Sequence, residues 1–286
     1  MEIRKIGVIG AGAMGNGIAQ VAAQIGCEVI MRDIEDAYVD RGLKNIDKFL
    51  AKSVEKGKLA QDEKGKILAR IKGTTNMADL KGADFVVEAV IEDLALKKSV
   101  FKELDALCRP EVILSTNTSS MSITEIAAAT KRPDRVCGMH FFNPVPLMKL
   151  VEIIRGFRTS DETVAAAAGL AKKMGKVTVE VKKDSPGFIV NRCMIPHMIE
   201  AIKIVEEGIA SIQDVDTAVK NGLNYPMGPF ELMDLTGIDI AYFVNEYFFK
   251  ELNKELKWVS PNLLKTMIRA NRLGRKTAGG WYDVAK

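Results

Sequence analysis

The segment "KIGVIGAGAMGNGIAQVAAQIGCEVIMRD", residues 5–33, limits what this chain can fold into more than any other part of it. The apolar run over 5–9 predicts a buried strand. Gly10, Gly12 and Gly15 follow as G-x-G-x-x-G, and 13–25 predicts a helix. Gly26 stands where a helix C-cap is expected. Residues 27–32 predict a second strand, closed by Asp33. Strand, glycine turn, helix, strand and acid in this order are the opening of a dinucleotide-binding βαβ unit.

Each part has a physical reason. Gly10 permits the tight turn out of the strand. Gly12 has no Cβ, so backbone can approach a pyrophosphate. Gly15 lets helix and strand pack closely. The free N–H groups where the helix starts, at Ala13 and Met14, suit the phosphates. Asp33 can accept both hydroxyls of an adenosine ribose and repels a 2′-phosphate, which favours NAD over NADP. Arg32 beside it works the other way, because an arginine can accommodate that phosphate.

Beyond this unit, residues 36–72 predict long charged helical segments. Strands are expected over 84–90, 112–115, 135–140, 150–154 and 177–181. Helices are expected over 91–108, 123–129 and 163–174. Strands alternating with helices imply a mostly parallel sheet covered on both faces. After "KKDSPGF" the pattern turns helical to the end, with loops at "NYPMGPFE" and "TAGGW", and Pro186-Gly187 marks the change. The expected architecture is α/β: a Rossmann-type domain over 1–184 followed by an all-helical domain over 185–286.

Composition removes several classes of function. Hydrophobic residues at 47% and charged residues at 27% suit a soluble globular protein. The N-terminus has no signal-peptide core and no apolar run is long enough to span a bilayer, so a cytoplasmic protein without a membrane partner is expected. Cys27, Cys108, Cys137 and Cys193 are scattered in apolar contexts without a C-x-x-C pair, which predicts reduced, buried thiols. His140 and His197 are too far apart for a local metal motif, so no metal is expected. The net charge of +4, with lysines interleaved among acids, argues against nucleic acid and suits a small anionic ligand. Lys48, Lys52 and Lys56 share one helical face, either as a solvated face or as an edge that binds an anionic substrate tail.

In open α/β sheets, ligands sit beyond the carboxyl ends of the strands. Three predicted strand ends offer polar groups there: Glu92, the stretch 117–120, and 140–143. A hydride leaves a carbinol carbon only if the hydroxyl proton leaves too, and an imidazole suits that task. His140 would then need a carboxylate to orient it and offset its charge. Glu152, inside the apolar run "LVEII", is the candidate; the alternative is a surface glutamate on an edge strand. His197, in "NRCMIPHMIEA", reads as a packed helix residue.

The stretches "GVIGAGAMGNGIAQ", "EAVIEDLALKK", "STNTSSMSITEIA", "GMHFFNPVPLMKLVE", "DSPGFIVNR", "YPMGPFELMDLTG" and "LGRKTAGGWYD" run through the whole chain. In them the chain resembles the 3-hydroxyacyl-CoA dehydrogenases, above all the short bacterial 3-hydroxybutyryl-CoA enzymes. The resemblance implies a catalytic set of Ser119, His140, Glu152 and Asn191. Ser119 would hydrogen-bond the substrate oxygen at C3, His140 would act as general base with Glu152 behind it, and Asn191 would contact substrate. It implies NAD held by Gly10, Gly12, Ala13, Met14, Gly15 and Asp33, with Glu92, Lys97, Asn117, Ser119, Asn143 and Lys276 as further contacts. It places Lys52 and Lys56 at the CoA tail of an acyl-CoA substrate and suggests a homodimer. Two rivals share the fold: an L-gulonate dehydrogenase or its crystallin-like relatives, and a non-catalytic nucleotide-binding protein.

Overall fold

Eight short segments pair into a single sheet in the computed structural model, which describes residues 2–277 and 279–283. The strands are β1 (Lys5–Ile9), β2 (Glu28–Arg32), β3 (Ile71–Thr74), β4 (Phe85–Glu88), β5 (Ile113–Thr116), β6 (Val136–Phe141), β7 (Leu150–Arg155) and β8 (Val177–Val181). Their order is β3-β2-β1-β4-β5-β6-β7-β8. Pairs from β3 through β6 are parallel; β7 runs antiparallel to β6, and β8 parallel to β7. Because β7 turns back, the first residues of β7 and β8 lie at the sheet end where β1 to β6 finish. That end gathers the polar side chains.

Successive strand residues face opposite sides of the sheet, so each face acquires its own core. Phe85 and Val87 of β4 join Ile6 and Val8 under α1 (Ala13–Gln24), α2 (Asp36–Glu55), α3 (Gln61–Ala69) and a later helix, α6 (Asp161–Lys173). Val86 and Leu114 meet the other layer, α4 (Leu94–Leu107) and α5 (Ile123–Ala127). Polar side chains start these helices. Asp93 accepts from the Leu96 amide, Ser122 from Glu125 and Ser160 from Thr163, satisfying amides that the helices leave open.

The chain divides into two compact units, Met1–Phe188 and Ile189–Lys286. The second contains α7 (Val190–Glu206), α8 (Ile212–Gly222), α9 (Pro229–Thr236), α10 (Ile238–Glu251) and α11 (Asn262–Arg269). Ile199, Phe230, Phe248, Trp258 and Leu264 form its core. The buried carboxylate of Asp216 accepts from the Phe230 and Glu231 amides, so it caps α9 from another helix.

Three expectations need correction. The helical reading of 36–72 ran too far, because 71–74 is the edge strand β3. Only Ile71 of that strand is buried, and the strand exists through its ladder with β2 rather than through its own pattern. The expectation of buried thiols holds for Cys27, Cys108 and Cys137, but Cys193 is exposed on α7. The helical reading also ran past α11, which stops at Arg269, while Gly274, Gly279 and Asp283 form isolated bridges. Among the described residues no helix is long and apolar enough to cross a membrane, and no three metal-ligating side chains cluster.

Candidate active site

The glycine turn is built from backbone geometry. Gly10 has φ of 98°, and a Cβ there would collide with the carbonyl oxygen of Ala89. A Cβ on Gly15 would collide with the carbonyl of Gly10, so helix and turn meet without side chains between them. Asp33 ties the turn to β2: one carboxylate oxygen accepts from the Ala11 amide and the other from Ile34, both at 2.7 Å. A carboxylate has about four lone-pair positions, so both oxygens keep capacity for hydroxyl donors. Arg32 points its Nε to the carbonyl of Thr75 at 3.2 Å.

The start of α1 differs from those of α4, α5 and α6. Its N-cap Gly12 offers no side chain, so its first amides lack the cap that Asp93, Ser122 and Ser160 give the others. A Cβ at Gly12 would meet nothing within 4 Å, so the backbone there has open space beside it. Uncapped amides, open space beside Gly12 and the Asp33 carboxylate at the turn fit the pyrophosphate and ribose of a dinucleotide.

At the other strand ends the side chains are already coupled. The antiparallel ladder of β6 and β7 sets His140 directly opposite Glu152. Their side chains meet with His140 Nδ1 at 2.6 Å from Glu152 Oε2. His140 is 6% exposed and Glu152 0%, so the glutamate is no edge-strand surface residue. β8, not β7, forms that edge of the sheet. The rings of Phe142 and Phe188 lie against the imidazole, at 4.4 and 5.6 Å between centroids. With Nδ1 engaged by a carboxylate, Nε2 is the nitrogen left to exchange a proton with a ligand.

Glu92 organises the loop after β5. Its Oε1 accepts from the Ser119 amide at 2.7 Å, the Ser119 hydroxyl at 3.1 Å and the Thr118 hydroxyl at 2.9 Å. Asn117 accepts from the Phe141 amide at 2.9 Å and so ties the end of β5 to β6 beside His140. Asn143 is exposed just beyond β6, and its peptide bond to Pro144 is cis.

Lys97 lies beneath this surface. It is 1% exposed, and its ammonium has three acceptors: Glu88 at 2.8 Å, Glu92 at 3.2 Å and the Val90 carbonyl at 3.3 Å. A lysine ammonium has three donors, so this one is fully engaged. Glu88, 0% exposed, also accepts from the Thr116 hydroxyl and the Val90 amide, both at 2.7 Å. Sequence reasoning missed Glu88, and it named Thr118 only as part of the stretch 117–120. Glu88 carried the same signal that exposed Glu152, one acid inside an apolar strand.

The sheet end of the first unit thus brings together the glycine turn, Asp33, Glu92, Asn117, Ser119, His140, Asn143 and Glu152. Lys52 and Lys56, at the end of α2, are exposed, and neither makes an ion pair among the described residues. In the second unit, Asn191 stands in the first turn of α7. Lys276 is bound to both carboxylate oxygens of Asp239, at 2.9 and 3.0 Å. The His197 ring lies 5.7 Å from that of Tyr225, and its buried Nε2 has no hydrogen-bond partner.

Comparison with known proteins gives the family. Residues 5–185 match the NAD binding domain of 3-hydroxyacyl-CoA dehydrogenase, and residues 187–284 match its C-terminal domain. The 3-hydroxybutyryl-CoA dehydrogenase of Clostridioides difficile is 48% identical, over 99% of this chain and 100% of its own. The mitochondrial hydroxyacyl-coenzyme A dehydrogenase of Sus scrofa is 41% identical, over 98% of this chain and 91% of its own. The crystal structure of (S)-3-hydroxybutyryl-CoA dehydrogenase from Ralstonia eutropha superposes with a TM-score of 0.96 at 46% identity, covering 100% of both chains. With an open glycine turn at one strand end, a histidine–glutamate pair at another and both halves matched, the chain belongs to the NAD-dependent 3-hydroxyacyl-CoA dehydrogenase family.

Proposed function

We propose that the chain is a 3-hydroxybutyryl-CoA dehydrogenase that interconverts (S)-3-hydroxybutyryl-CoA and acetoacetyl-CoA. The observation that carries this reading is the buried pair of His140 and Glu152 at the site end of the sheet. NAD, when bound, supplies the acceptor for the hydride from C3. His140 takes the C3 hydroxyl proton on Nε2 and returns it in the reverse direction. Glu152 orients the ring through Nδ1 and offsets the charge that the ring gains. Ser119 hydrogen-bonds the C3 oxygen, and its amide and hydroxyl contacts to Glu92 hold it in place. Asn191 is assigned to the substrate.

Gly10, Gly12, Ala13, Met14 and Gly15 hold the pyrophosphate, and Asp33 the ribose. Glu92, Asn117, Ser119 and Asn143 complete the cofactor contacts. Lys97 acts through Glu92, since its own donors are engaged. Lys276 remains assigned to the cofactor and Lys52 and Lys56 to the CoA tail. The proposal includes a homodimer, supported by apolar side chains exposed in the second unit: Ile209, Leu223, Ile240, Phe243 and Leu256.

The test is NADH oxidation by the purified chain with acetoacetyl-CoA, beside dehydrogulonate and buffer. Turnover with acetoacetyl-CoA that exceeds both controls is expected. Turnover with dehydrogulonate alone would replace this reading with the gulonate one.

A further inference from the structure

Residues 142–149 join the two members of the catalytic pair, leaving β6 after His140 and entering β7 before Glu152. They form no strand or helix, so their polar backbone atoms need other partners. The amides of Leu147 and Met148 turn back to the Pro144 carbonyl at 3.0 Å. The carbonyls of Val145 and Met148 are taken by a side chain far along the sequence. The Lys176 ammonium donates to both, at 2.8 Å for Met148.

Lys176 stands immediately before β8, at the site end because β7 has turned back. It is 8% exposed and forms no ion pair among the described residues. Burial alone lowers its basicity. A buried ammonium without a counter-ion is costly, and an apolar side chain of similar volume often serves stability as well or better. Packing therefore gives no reason for a lysine here. What the ammonium does is satisfy two carbonyls of the connection.

The opposite side of the connection is held too. Val145 is 1% exposed, and a Cβ on Gly17 of α1 would come within 2.8 Å of the Val145 Cβ. The same helix begins at the open glycine turn. The connection is therefore gripped between the cofactor-binding helix and Lys176.

We propose that Lys176 is a positioning residue, fixing residues 142–149 so that Asn143 and the connection beside the site meet their ligands. The kinetic part rests on the dehydrogenase reading; the structural part does not. Hydrogen–deuterium exchange and steady-state kinetics of the full chain test it, using wild type, Lys176→Met and Lys176→Arg. Lys176→Met keeps the apolar stem and removes the donors. The 142–149 peptide should then exchange about tenfold faster while the rest of the first unit stays protected. KM for NADH and for acetoacetyl-CoA should rise more than kcat falls, and Lys176→Arg should restore part of both effects. Unchanged exchange over 142–149, or equal loosening throughout the first unit, overturns the proposal. Should Lys176→Met fail to fold, Lys176→Gln, with fewer donors and a shorter reach, faces the same two outcomes. A wild type inactive on acetoacetyl-CoA would overturn the dehydrogenase reading and leave the exchange result to decide Lys176.

Discussion

Glu88 and Glu152 are both completely buried in the same sheet, each the one acid of an apolar strand. Their partners separate them. Glu88 faces Lys97, whose three donors all end on protein acceptors. Glu152 faces His140, which presents one ring nitrogen to the glutamate and has a second, Nε2, that the proposed mechanism uses. The first pair closes on itself and braces the turn after β4. In the proposed mechanism the second passes a proton through. Equal burial of a carboxylate therefore says little about its role; the role follows from whether its partner still has an atom to offer.

The widest break between the two pairs should come from removing each partner. His140→Gln is expected to lower kcat about 10²–10⁴-fold with little change in melting temperature. Lys97→Met leaves Glu88 buried without its ammonium and should lower stability by about 3–5 kcal/mol, measured by urea unfolding. A Lys97→Met chain as stable as wild type, with kcat reduced like that of His140→Gln, would erase the distinction.

A smaller effect concerns the cofactor. Asp33 repels a 2′-phosphate, and Arg32 is turned toward the Thr75 carbonyl. NADH should therefore have the higher kcat/KM, and Asp33→Ala should narrow the gap with NADPH by weakening NADH. Equal use of both cofactors by wild type would contradict this role for Asp33. Smaller still is the effect of Lys52 and Lys56. Both are exposed, so each contributes no more than about fivefold to binding. A double Lys→Glu variant should raise KM for acetoacetyl-CoA and leave KM for NADH alone. An unchanged KM would return the two lysines to a solvated face.

Much of this was legible in the sequence because its signals are local. The glycine turn, α1 and Asp33 fit within residues 5–33, and each position there has one physical demand. The pairing of His140 with Glu152 was legible because strand ends in such sheets converge on ligands and an apolar strand rarely carries an acid. The same reasoning applied to "FVVE" would have marked Glu88, but its partner Lys97 lies across a turn whose path the sequence does not display. β3 was hidden because its stability comes from β2. Lys176 was hidden because its partners are carbonyls, which every residue carries.

The central claim is that His140 and Glu152 work as one proton-transfer unit, and a double-mutant cycle on kcat tests it most directly. His140→Gln, Glu152→Gln and the double variant would be compared with wild type, using acetoacetyl-CoA and saturating NADH. Coupled residues lose their joint contribution once, so the double variant should be about as slow as the slower single variant. Losses that multiply in full, or a His140→Gln enzyme with near-normal kcat, would contradict the account.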